Sequence, residues 1–84
     1  MREFAAVVED IREQRRVEGR IRWQVLLDRT EFAVGDVGTF EAVARSGARL
    51  EVPVLGVEAG AEGELWHVVE KPLAAGTEIK GRVG

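Results

Sequence analysis

The sequence predicts an all-β domain, a small antiparallel β-barrel, closed or nearly closed, of about six strands. Three observations carry this reading. The run Phe32-Ala33-Val34-Gly35-Asp36-Val37-Gly38-Thr39-Phe40 sets a Gly-Asp turn between two apolar segments. Glycine reaches positive φ without steric cost and aspartate bonds the backbone nearby, so the pair reverses a chain tightly. Val17, Gly19, Ile21 and Trp23 alternate with Glu18, Arg20 and Arg22, the two-residue period of a half-buried strand. Turn signals then recur at short intervals through Ser46-Gly47, Ala59–Gly63 and Leu73–Gly76.

The elements follow in order. Phe4 to Arg16 admits two readings. Phe4, Val7, Val8 and Ile11 form a helical stripe, which local propensity favours, and Glu9, Arg12, Glu13 and Arg16 add pairs at helical spacing. As a strand, the same segment puts Phe4, Ala6 and Val8 on one face. The alternating strand beginning at Arg16 is extended by Val25 and Leu27, and Asp28 to Glu31 forms a loop. Phe32 to Val34 leads into the Gly-Asp turn, and Val37 to Ala44 forms a further strand. After the Ser46-Gly47 hairpin turn, Leu50, Val52 and Val54 alternate toward Val57, with Pro53 marking an edge or a bulge. The last strands are Leu65 to Val69, stopped by Lys71-Pro72, and Glu78 to Val83.

At 84 residues the chain has room for one modest core, so residues 1–84 are taken as a single domain. It contains no cysteine, which excludes disulfides and thiolate metal sites. No stretch approaches the roughly 20 apolar residues of a membrane helix, and the opening residues lack the pattern of a secretory signal. A complete, cytoplasmic protein is expected. The absence of Asn and the abundance of charge suit a thermophile, and a GC-rich genome gives the same bias. Net charge is −3, yet Arg12, Arg15, Arg16, Arg20 and Arg22 fall within eleven residues, while no lysine or arginine lies between Glu51 and Glu70. The molecule is therefore expected to be electrically polar.

The order of these pieces resembles the second domain of translational GTPases such as elongation factor Tu. Phe4 with Val8-Glu9-Asp10-Ile11 is similar to that domain's opening strand. Arg16-Val17-Glu18-Gly19-Arg20-Ile21 is similar to the next. Phe32-Ala33-Val34-Gly35-Asp36 resembles the family's Val-Gly-Asp turn, and Leu73-Ala74-Ala75-Gly76-Thr77-Glu78-Ile79 its closing strand entry. The resemblance spans most of the chain. It implies a β-barrel, a strand over residues 4–16, and contacts with RNA or with neighbouring domains.

The residues themselves offer little chemistry. No Gly-x-x-x-x-Gly-Lys-Ser/Thr loop is present, so P-loop nucleotide hydrolysis is excluded. His67 is the sole histidine and has no partner residues for a metal site, which points to a structural or solvent-facing role. The carboxylates show no ligand spacing and read as solvated charge. Ser46 lacks the setting of a nucleophile. No catalytic residue, metal or cofactor is expected.

Two features suit binding. Arg15, Arg16, Arg20 and Arg22 match RNA or another anion through bidentate phosphate contacts and stacking on bases. On one strand Arg16, Glu18, Arg20 and Arg22 share a face. The structural alternative is cross-strand ion pairing with Glu9 and Glu13. Trp66 is a candidate anchor for a protein interface, where tryptophan is enriched, although in a barrel this small either tryptophan is more often a core residue. The expected function is a non-catalytic binding module that engages a protein partner or a second copy of itself. RNA or ribosome binding through the arginines is the alternative, and neither a membrane nor a nucleotide ligand is expected.

Overall fold

Phe4, Ala6 and Val8 are buried while their neighbours Glu3 and Ala5 are exposed, so residues 4–16 belong to a strand rather than a helix. The helical spacing of Phe4, Val8 and Ile11 is coincidental to that alternation. The computed structural model describes residues 2–44 and 46–84, and no helix occurs among them. Seven strands form one antiparallel sheet: β1 (Arg2–Val17), β2 (Arg20–Leu27), β3 (Gly38–Val43), β4 (Arg49–Val54), β5 (Gly56–Ala59), β6 (Leu65–Val69) and β7 (Glu78–Val83). Their order across the sheet is β4-β3-β7-β1-β2-β6-β5.

β1 joins the two halves of the sheet. Residues Arg2 to Val7 pair with β7, and Val8 to Val17 pair with β2. The register slips between Val8 and Asp10 and again between Glu13 and Arg15. Such bulges bend a strand and raise its twist, which lets sixteen residues wrap the molecule. Beyond Val8, β2 is the only strand paired with β1 among the described residues. Glu9, Asp10, Arg12, Glu13, Arg15 and Arg16 line that free edge with charge, which discourages pairing with other chains.

Two sequence expectations change here. The continuous strand through Val17 and Trp23 is a hairpin. Glu18 (φ 50°) and Gly19 (φ 79°) reverse the chain, with Val17 opposite Arg20. Positive φ at both central positions is what a type I′ turn requires, and its twist matches the flanking strands. The count is seven strands rather than about six, because a single residue, Leu55, interrupts what the sequence shows as one run from Leu50 to Val57. The hydrogen-bonded sheet is open, with β4 and β5 as its edges. Those edges are consecutive in the chain, and the Leu55 N–H donates to the Val68 carbonyl at 2.8 Å. Pro53 sits in edge strand β4, where its missing N–H costs no ladder bond to a second neighbour.

The inner face holds the core. Gly81 on β7 lies opposite Phe4 on one side and Phe40 on the other. Without a side chain it leaves room for the Phe4 ring, which a Cβ at that position would strike. Phe32 stands edge-on to both rings, with centroids 5.8 Å from Phe4 and 5.7 Å from Phe40. Val8, Val25, Val52, Val54 and Val69 fill the surrounding space and are essentially inaccessible to water. Each such side chain contributes about 1.5–3 kcal/mol by leaving water. Phe32 itself lies in a loop that ends in the Gly-Asp turn. There the Ala33 N–H donates to the Asp36 carboxylate at 2.8 Å, and the Asp36 N–H returns to the Ala33 carbonyl at 2.9 Å.

Candidate functional site

The hairpin of β1 and β2 decides where the arginines go. Arg15 stands directly opposite Arg22, and Arg20 stands opposite Val17, two residues further along β1. Alternation puts Arg15, Arg20 and Arg22 on the outer face of the sheet. Arg16 pairs with Ile21 and points to the other face. The shared face expected for Arg16, Arg20 and Arg22 is therefore corrected to Arg15, Arg20 and Arg22, because the chain reverses between Arg16 and Arg20. The register slip at Gln14 keeps Arg12 on that outer face as well, opposite Gln24.

Glu9 and Glu13 do not neutralise these arginines among the described residues: Glu13 lies opposite Trp23 on the other face. The carboxylate nearby is Glu70, 3.9 Å from Arg20 Nη1 and 4.0 Å from Arg22 Nε. Exposed pairs at such separations contribute about 0–1 kcal/mol each. The Arg22 Nε is buried and has no hydrogen-bond partner among the described residues. Residues 14–22 carry four arginines and one glutamate, a net of +3 in a chain whose total is −3. Like charges directly opposite each other destabilise a ribbon, so Arg15 facing Arg22 is a cost that the fold alone does not require.

Trp66 lies on the same outer face, since it pairs with Leu26 while His67 pairs with Val25. It is only 6% exposed, yet it stands outside the main core cluster. The Arg12 guanidinium covers its ring, 3.9 Å from the centroid. Arg12 Nε donates to Gln24 Oε1 at 2.6 Å, and Gln24 Nε2 donates to Glu58 Oε1 at 2.7 Å. Gln14, at the β1 bulge, donates to that same oxygen at 2.6 Å. Gln14 and Glu58 sit on β1 and β5, three strands apart, so the end of the hairpin curls back over β6. Trp66 is thus roofed by the arm. Its indole N–H donates to Glu64 at 3.3 Å. Hydrogen bonds from the backbone at Glu64 first, then from the Trp66 indole, hold the Glu64 carboxyl below its usual range.

His67 belongs to the inner face and is fully buried. Its Nδ1 lies 2.9 Å from the Val25 carbonyl and its Nε2 lies 2.8 Å from the Thr30 hydroxyl. A carbonyl only accepts, so Nδ1 carries the proton and Nε2 accepts from Thr30. The Thr30 oxygen in turn accepts the Phe32 N–H at 3.0 Å. Every polar atom of the neutral ring is satisfied. Burial lowers the His67 pKa below its ordinary value, outweighing the opposite pull of the Val25 bond. The ring packs 5.3 Å from both Phe32 and Phe40, a structural placement with no route to a ligand.

A second surface feature lies across the molecule. Val43 and Leu50, both more than two-fifths exposed, line a groove of mixed polarity with Ala48, Pro72, Arg49 and Glu78. The groove runs between the β3–β4 hairpin and the turn that enters β7.

Sequence reasoning missed Arg12, Gln24, Glu58 and Glu70 as parts of the arginine face. One signal was available: Gln14 and Gln24 are the only glutamines in the chain, and Gln24 interrupts the apolar run from Trp23 to Leu27. No protein-family model matches the chain, and no curated protein matches it.

Proposed function

We propose that this protein is a non-catalytic binding module that holds RNA on the outer face of the β1–β2 hairpin. The reading takes the fold as a small barrel of the kind found in the second domain of translational GTPases. The meeting of the two sheet edges at Leu55 supports that. The observation that carries the function is the placement of Arg15 opposite Arg22 with Arg20 beside them and one carboxylate near the set. A bound phosphate relieves the repulsion between Arg15 and Arg22. Arginine suits this work because its planar fork meets phosphate oxygens bidentately and its charge persists at any physiological pH. The acidic remainder of the molecule repels a polyanion and so orients the arm toward it.

The test is binding of a structured RNA pool at increasing salt, with the protein beside an Arg15→Ala, Arg20→Ala, Arg22→Ala variant whose folding is confirmed. Phosphate contacts release counterions, so affinity is expected to fall steeply with salt and the variant to have a shallower slope. Absence of binding at low salt overturns the reading. The exposed Val43 and Leu50 in the groove favour a second reading, a protein partner or a second copy docked there. Binding there is expected to be nearly indifferent to salt.

A further inference from the structure

Resting on the RNA reading, we infer that Trp66 is a stacking site for a base of single-stranded RNA, and that the Arg12 guanidinium holds the place of that base in the free protein. Four observations converge. Trp66 shares the outer face with Arg15, Arg20 and Arg22, so one strand of nucleic acid laid along this face meets both. The tryptophan, though buried, is outside the main hydrophobic core cluster, on the opposite face of the sheet from the aromatic core. A flat cation already lies 3.9 Å from its centroid, which is the place and the spacing of a stacked ring. The roof over it is polar and made of exposed or half-buried side chains, Arg12 and Gln14, tied to Gln24 and Glu58 by single hydrogen bonds.

Arg12 is exposed and long, so it swings off the ring without disturbing the sheet. Once displaced, its guanidinium adds to the positive charge of Arg15, Arg20 and Arg22 against the phosphates. The exchange replaces one flat partner by another and turns the released cation into a phosphate contact. Single-stranded RNA fits, because its unpaired bases are free to leave their neighbours and stack on an aromatic ring. A double helix keeps its bases inside the stack and reaches only the arginines.

The experiment uses the full chain labelled with 5-fluorotryptophan, which gives one fluorine signal each for Trp23 and Trp66, assigned with Trp23→Phe. Oligouridylate and an abasic sugar-phosphate oligomer of equal length are titrated at low salt. Oligouridylate is expected to shift the Trp66 signal and leave that of Trp23 in place. The abasic oligomer is expected to bind on the order of tenfold more weakly, the weight of one stacked base, and to leave Trp66 unmoved. Trp66→Leu, checked for folding, is expected to bind both oligomers equally. Equal affinity for the two oligomers with a stationary Trp66 signal overturns the stacking site while leaving the arginine face intact. No binding of either oligomer overturns the stacking site and the RNA reading together.

Discussion

Residues 2–8 of β1 alternate strictly and bury Phe4, Ala6 and Val8, whereas residues 9–17 of the same strand contain two register slips and no fully buried residue, Ile11 alone being half-buried against the core. The first half packs on Gly81 and the aromatic cluster. The second half carries four charges on the path from Arg12 to Arg16 and curls over the outer face to cover Trp66. One continuous strand thus serves as core wall at one end and as charged surface at the other. The bulges make this possible, because a slip of one residue rotates every following side chain to the opposite face. The difference separates residues whose identity is dictated by packing from residues whose identity is not.

Changes in the first region are expected to be the most damaging. Phe40→Ala removes a fully buried ring that touches Phe32 and His67. A loss of about 3–5 kcal/mol is expected, measured as a lowered midpoint in urea unfolding. That is a large fraction of the roughly 5–15 kcal/mol by which native domains are commonly stable. Thr30→Val comes next. It leaves His67 Nε2 without a donor and the Phe32 N–H without an acceptor. Orphaned buried groups of this kind cost about 1–3 kcal/mol each, so a near-native midpoint for this variant would break the description of the core.

The same histidine gives the core a pH signature. Its native pKa is lowered by burial, so as pH falls below about 6.5 the unfolded chain takes up a proton that the native state refuses. Stability is therefore full above that pH and declines as pH falls from there toward the native pKa. Because the chain has one histidine, His67→Leu is expected to flatten thermal midpoints between roughly pH 5 and 6.5. An unchanged slope in that variant assigns the pH dependence elsewhere.

The second region is expected to respond in the opposite sense. Arg15→Ala removes a like-charge pair with Arg22, and a gain of about 0.2–1 kcal/mol is expected, read from the same urea curves. A clear loss of stability would mean that Arg15 serves the fold after all.

Much of this contrast was legible in the sequence, and the illegible part has a definite cause. Leu65–Val69 and Glu78–Val83 match their strands because apolar spacing and flanking Pro or Gly bound them on both sides. The Gly35-Asp36 turn was readable because its residues supply both the positive φ and the capping carboxylate. The Glu18-Gly19 reversal was hidden. The two-residue spacing of Val17, Gly19 and Ile21 runs unbroken through the turn in sequence, although Val17 and Ile21 end on opposite faces, and Glu-Gly is not among the usual Asn-Gly or Asp-Gly signals. Missing the turn assigned Arg16 to the face that Arg15 occupies. The roof over Trp66 depends on contacts between residues forty-four and fifty-four positions apart, which no local pattern encodes.

Arg15 and Arg16 therefore furnish the sharpest experiment: the salt dependence of RNA affinity for Arg15→Ala and Arg16→Ala, measured side by side. The two are adjacent in sequence, identical in charge and opposite in facing. Arg15→Ala is expected to weaken binding at low salt and to reduce the slope of log K against log salt by roughly one phosphate contact, about 0.7 for single-stranded RNA. Arg16→Ala is expected to leave the slope nearly unchanged. Equal losses in the two variants would contradict a binding face defined by the hairpin and reduce the arginines to a diffuse positive charge.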